Sequence, residues 1–89
     1  MDSRPDNKTF EDAAYKAAFG EVVYKRRVDA GLNRQLFSRM AGVGASHVCR
    51  IESGEAAPSI VTVRKLAEAL GSKPSDLLDE ADELLRRRR

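Results

Sequence analysis

The sequence contains a single cysteine, Cys49, and a single histidine, His47. One thiol excludes an intramolecular disulfide, and no cluster of Cys and His offers the four ligands of a structural zinc site. No metal or other cofactor is expected. Long apolar runs are missing as well: nothing approaches the ~20 residues that span a bilayer, so no membrane contact is expected. Residues 1–8 are polar and lack the apolar stretch of a signal peptide. Catalytic groupings are equally absent. There is no nucleophile–base set and no phosphate-binding glycine loop, and Ser46 beside His47 on an exposed helix is not a catalytic arrangement. An enzyme is therefore not expected. A chain of 89 residues has room for one domain and one modest core. With neither disulfide nor metal to brace it, oligomerisation is the expected outside source of stability, and a reducing cytoplasm the expected compartment.

Net charge is also low, +2 over the whole chain, but it is unevenly spread. Residues 25–50 carry Lys25, Arg26, Arg27, Arg34, Arg39 and Arg50 against Asp29 alone, a net +5, whereas residues 51–83 carry a net −5. Residues 1–24 carry −2, and Arg86 to Arg89 close the chain with +4. A local basic segment on a nearly neutral protein is the footprint of nucleic-acid contact, though a solvated, lopsided surface has the same charge count.

Strand signals are almost absent and helix punctuation is dense, so the fold is predicted to be all-α. Residues 1–8 include Pro5 and read as a disordered arm. Thr9 reads as an N-cap with Asp12 three residues on. Phe10, Ala14, Ala17 and Ala18, followed by Phe19, Val22, Val23 and Val28, then predict one helix, or two with a break near Gly20, ending at Ala30 before Gly31. Asn33 caps a short amphipathic helix carrying Leu36, Phe37, Met40 and Ala41, which Gly42 closes. Gly44 or Ala45 opens another with Val48 and Ile51, ending at Gly54. Ser59 caps a helix with Val63, Leu66, Ala67 and Leu70. Pro74 and Ser75 start the last helix, striped with Leu77, Leu78, Ala81, Leu84 and Leu85. The single domain is predicted over 9–85, with 86–89 as a basic tail, and no repeat of 20–50 residues is present.

Two short helices, Arg34–Ala41 and Ala45–Ser53, joined by Gly42-Val43-Gly44, form the skeleton of a helix-turn-helix, with the motif at 33–54. Such a turn sets the helices steeply against each other, so that the second can enter a major groove about 12 Å wide. The ungapped stretch GLNRQLFSRMAGVGASHVCRIESG, from Gly31 to Gly54, resembles the XRE (lambda-repressor/Cro-like) motif. Gly31, the turn residues Gly42 and Val43, and the ending Ile51, Glu52 and Gly54 fall on the family's own. PSIVTVRKLAEALGSKPSDLL downstream and Phe19 to Arg27 upstream extend the match to about residues 19–78. The resemblance implies a five-helix lambda-repressor-like domain, here with an extended N-terminal and an extended C-terminal helix.

It also implies roles. Ala45, Ser46 and His47 fall on base-contacting positions. Arg50, one turn beyond Ser46, is placed to read guanine O6 and N7, or else to meet a phosphate. Ala45 departs from the glutamine common there and offers only a methyl group. His47 is read as a neutral surface donor rather than a pH switch, and Cys49 as an incidental small residue rather than a redox sensor. Phosphate contacts are expected from Asn33, Arg34, Arg39 and Ser53. The loop before the fourth helix, often basic in the family, holds no cation here, which implies weaker anchoring or a loop turned away from DNA. Arg27 and Glu52 resemble a structural ion pair. One recognition helix covers few base pairs, so a homodimer reading a palindrome is expected. Its seam is predicted along Leu77, Leu78, Ala81, Leu84 and Leu85, the alternative being that this stripe packs within the chain. The expected function is a transcriptional regulator of the repressor or autoregulator kind bound to double-stranded DNA, such as a restriction–modification controller. The competing class is an antitoxin or adaptor whose main partner is a toxin or another regulator.

Overall fold

The computed structural model describes residues 5–88, with side chains from Phe10 onward. The first four residues of the expected arm, and Arg89 of the basic tail, lie outside the described residues. Five helices follow one another: α1 (Pro5–Asp29), α2 (Arg34–Ala41), α3 (Ala45–Glu52), α4 (Ile60–Ala69) and α5 (Pro74–Arg88). No strand occurs among the described residues.

The all-α architecture is as predicted, but its first helix differs in its start. It begins at Pro5 rather than Thr9, so half of the expected arm is helical. Proline suits a first helical position, because the N–H it lacks would have had no partner there. Thr9 consequently sits inside the helix and cannot cap it. Of the two alternatives, one helix or two with a break near Gly20, the first is found: α1 runs through Gly20 without interruption. The reason is contact with another helix. A Cβ on residue 20 would lie 2.2 Å from the carbonyl oxygen of Ile51 and 2.8 Å from that of Glu52. Gly20 is a point where α1 touches the end of α3 backbone to backbone.

Each short helix ends by a recognisable device. Asn33 accepts a hydrogen bond from the Leu36 N–H at 2.8 Å, and Ser59 accepts one from the Thr62 N–H at 3.1 Å. These satisfy amide donors that a helix start leaves open. At Gly42, φ is +70°, and the N–H groups of Gly42 and Val43 both donate to the Ser38 carbonyl, at 2.9 and 3.1 Å. A left-handed residue of this kind, which glycine adopts without penalty, turns the chain sharply out of α2.

The core is built from all five helices, with Phe37, Ile51, Leu66, Leu77, Val23 and Val48 its largest fully enclosed side chains. Leu36 and Met40, expected on the apolar face of α2, point to solvent instead; only Phe37 and Ala41 of that helix are buried. α1 packs mainly on α5 and α3. Polar links fix α5 across α1. Tyr15 donates to Asp82 at 2.7 Å, Arg88 donates to both Glu21 oxygens at 2.9 and 2.8 Å, and Arg26 reaches Glu80 and Ser72. Burial, reinforced by the Asp82 bond, pushes the Tyr15 phenol up to about 12. The Glu80 bond raises the Arg26 guanidinium above its ordinary value.

This packing corrects the expected seam. Leu77 and Ala81 are fully buried within the chain's own core, because α5 lies across α1 and needs those two positions to close against it. Leu84 and Leu85 are half-buried on the same core, and Leu78 is left 40% exposed. The helix also continues through Arg88, so Arg86 to Arg88 belong to α5 rather than to a separate tail.

Candidate nucleic-acid interface

α3 shows its core side with Val48 and Ile51, both buried, and turns Ser46, Cys49, Arg50 and Ser53 outward. Those four follow the i, i+3, i+4, i+7 spacing of a single helical face. Ala45 and His47 flank it, each partly buried. The helix ends at Glu52, one residue before the expected end, and Ser53 is its C-cap, donating through Oγ to the Arg50 carbonyl at 3.1 Å.

That carbonyl organises the following loop. It also accepts the N–H groups of Glu55 and Ala56, at 2.9 and 3.1 Å. The chain therefore folds back onto the end of α3 and brings the Glu55 carboxylate 3.8 Å from Arg50 Nε. Both side chains are largely exposed, so the pair is a weak, solvent-screened one. The cation-free loop thus leaves a carboxylate beside the arginine at the end of the outward face.

Behind the face lies a second cluster. Arg27, 6% exposed, sends Nε and Nη2 to Glu52 Oε2 and Oε1 at 2.7 and 3.1 Å, and Nη1 to the Leu32 carbonyl at 2.7 Å. Its guanidinium stands 5.4 Å from the ring centre of Tyr24. The structure thus joins the two residues that resembled a family ion pair. Glu52 has a third bond: Arg34 Nε donates to Oε1 at 3.0 Å, which raises the Arg34 guanidinium above its ordinary value. No buried side-chain N or O among the described residues lacks a partner.

Of the residues expected at phosphates, Asn33 spends its carbonyl oxygen on the α2 cap, leaving its amide donors available. Arg34 shares the buried carboxylate of Glu52. Arg39 is exposed in the last turn of α2, about 140° around the helix from Arg34. The structure therefore gathers Ser46, Arg50 and Ser53 on one face but does not place Arg39 on the same side of its helix as Arg34. Cys49, an exposed thiol, belongs to the outward face; its spacing from Ser46 was the signal that pointed there. The Arg34 and Glu55 contacts had no local signal. Among the described residues, no group of three or more His, Cys, Asp or Glu side chains is arranged to hold a metal ion, and no helix is long and apolar enough to cross a membrane.

A glycine-closed short helix, a tight turn and a second short helix with a polar outward face form a helix-turn-helix in geometry as well as in sequence. The family model for the helix-turn-helix family HTH_3 matches residues 23–77. The chain belongs to the HTH_3 helix-turn-helix family. It is a DNA-binding transcriptional regulator of the XRE type. Among solved structures it is similar to the restriction–modification controller protein C.AhdI from Aeromonas hydrophila, at 31% identity and a TM-score of 0.68, over 70% of this chain and 94% of that one. An HTH_3 family transcriptional regulator from Vibrio cholerae matches at 27% identity and a TM-score of 0.74; this chain aligns with 83% of its own length and only 42% of that protein's. The clp gene regulator ClgR from Corynebacterium glutamicum shares the fold, with a TM-score of 0.79 at 22% identity, over 83% of this chain and 79% of that one. No curated protein matches the chain by sequence.

Proposed function

We propose that this regulator binds a palindromic operator as a homodimer in the cytoplasm, and that it represses transcription, its own gene included. The observation that carries the reading is the outward face of α3. It offers hydroxyls at Ser46 and Ser53 and one cation, Arg50, with no bulky apolar group to be left in water. Arg50 is the side chain on that face able to make a bidentate contact to guanine, and such a contact discriminates by about 1–3 kcal/mol. Ser46, Ala45 and His47 lie N-terminal to it and meet adjacent base edges. The amide of Asn33, with Arg34, Arg39 and Ser53, supplies backbone contacts that set the register. The restriction–modification controller, matched over 94% of its own length and 70% of this chain, supports a stand-alone regulator of the same kind.

The dimer seam, with Leu77 and Ala81 withdrawn, centres on Leu78. This residue borders a shallow apolar groove with Tyr15, Phe19, Pro58 and Val63. Beside Pro58, at the start of α4, Ile60 and Val61 stand exposed. Leu84 and Leu85 contribute their uncovered edges.

Selection from random-sequence DNA at fixed salt, comparing wild type with Arg50→Ala, tests the reading. The expected result is a palindrome for the wild type and, for the variant, loss of preference at one symmetric base pair by about five- to 150-fold. Sedimentation of the free protein should give a dimer that Leu78→Asp weakens. An absence of any enriched site would move the weight to a toxin or another protein as the main partner.

A further inference from the structure

Glu52 holds more cations than its charge requires. Its carboxylate is 3% exposed and already has a bidentate partner in Arg27, yet it also accepts Arg34 Nε at 3.0 Å. For stability this third bond adds little: the Arg34 side chain is 45% exposed, and water screens a partly solvated pair of that kind. Its effect is geometric. Nε is the donor nearest the side-chain stem, so engaging it fixes the guanidinium plane and leaves the far edge, where one N–H of Nη1 and one of Nη2 run parallel, free of the carboxylate. Neither Nη has a protein partner among the described residues. Nor is the cation cancelled, because two guanidiniums against one carboxylate leave a net +1 at the junction of α1, α2 and α3.

We propose that Glu52 is a positioning residue for DNA-backbone binding, holding Arg34 by Nε so that its two Nη groups present a preset fork to one phosphate. This rests on the DNA-binding reading above. A guanidinium can bond inward through Nε and outward through both Nη groups at once, whereas a lysine ammonium is a single point donor. The side chain is ordered on folding, so the cost of fixing it does not fall on the binding step. Glu52 thereby has two duties: through Arg27 it ties α1 to α3, and through Arg34 it sets a cation at the DNA backbone.

Arg34→Lys and Arg34→Gln, measured by fluorescence anisotropy against the selected operator across a salt series, separate positioning from charge. Arg34→Lys is expected to bind about three- to tenfold more weakly, the cost of ordering one long side chain at binding, with an unchanged salt slope. Arg34→Gln is expected to weaken binding further and to reduce the slope by about 1. Both keep the bidentate Arg27–Glu52 pair and lose only a partly solvated third bond, so each should still unfold cooperatively, with Tm within about 8 °C of the wild type. Wild-type affinity in Arg34→Lys would show that charge alone suffices and overturn the positioning role. An unchanged slope in Arg34→Gln would remove Arg34 from the phosphate and overturn the proposal outright, leaving base reading by α3 intact. A wild-type protein that binds no operator would instead sink the DNA-binding reading beneath it. A second readout addresses Glu52 directly. Nitrogen relaxation of the arginine Nε–H groups should show Arg34 rigid in the free protein and released in Glu52→Gln. Equal mobility of Arg34 and the exposed Arg39 in the wild type would refute the hold.

Discussion

Replacing Gly20 with alanine sets two effects of known sign against each other. Position 20 lies inside a continuous α-helix, where glycine is about 1 kcal/mol worse than alanine. Helix propensity alone therefore predicts that Gly20→Ala stabilises the protein. The packing predicts the reverse. The new Cβ would sit 2.2 Å from the Ile51 carbonyl oxygen, while ordinary contact begins at 3.4 Å, so α1 and α3 must part locally by the difference of 1.2 Å. Overpacking costs about 1–3 kcal/mol when side chains can adjust. Here the obstacles are backbone carbonyls of Ile51 and Glu52, which no rotamer change can move, so the upper end applies. Setting about 3 kcal/mol of overpacking against about 1 of propensity leaves a net loss of roughly 2 kcal/mol. For a domain of this size that lowers Tm by about 8–16 °C. Thermal and urea unfolding followed by circular dichroism measure it. A variant as stable as the wild type, or more stable, would refute the claim that these two backbones touch. Gly20→Ala should also weaken DNA binding, because the helix it displaces is the one proposed to read bases.

Two further outcomes follow from the polar contacts. Arg27→Met leaves the buried Glu52 carboxylate without its bidentate partner and should cost about 3–5 kcal/mol in urea unfolding, whereas the double variant Arg27→Met/Glu52→Leu should recover much of the loss; equal costs for the single and double variants would argue against a paired, buried carboxylate. For Tyr15, the folded state holds the phenol proton more tightly than the unfolded chain does, with a value of about 12 against the ordinary 10.0. Its contribution is therefore complete below pH 10 and is lost as pH rises through 12. Absorbance titration of phenolate should show a late-ionising group that disappears in Tyr15→Phe, and ionisation of that group near pH 10 would mean that the phenol is neither desolvated nor bonded to Asp82 in solution.

The helix-turn-helix was legible in sequence because its signals are local. Asn33 and Ser59 cap three residues ahead of themselves, and Gly42 supplies the left-handed turn at the position where the pattern needs one. Gly20 shows the limit of such signals. A glycine within a helical pattern marks a break or a close approach with equal force, and only a partner some thirty residues away decides between them. The stripe on α5 failed for a related reason. Leu77 and Ala81 have the spacing of a face that needs a cover, but spacing does not say whose; the cover is α1, linked to α5 by Tyr15–Asp82 and Arg26–Glu80 contacts spanning 67 and 54 residues. Arg34 was placed near phosphate by position alone. That it leans on Glu52, eighteen residues on, depends on how three helices meet.

The bare contact at Gly20 has a consequence for how this molecule can change. It fixes the pose of α3 through main-chain atoms at Ile51 and Glu52, whereas Ser46, Cys49, Arg50 and Ser53 stand on the opposite side of the helix and take no part in it. Orientation and lettering are thus held by separate sets of atoms. Ser46, Cys49 and Arg50 can be exchanged without disturbing that contact, so a new target sequence is reachable by substitutions that leave the pose of the helix in place, whereas Ser53 also closes the helix end.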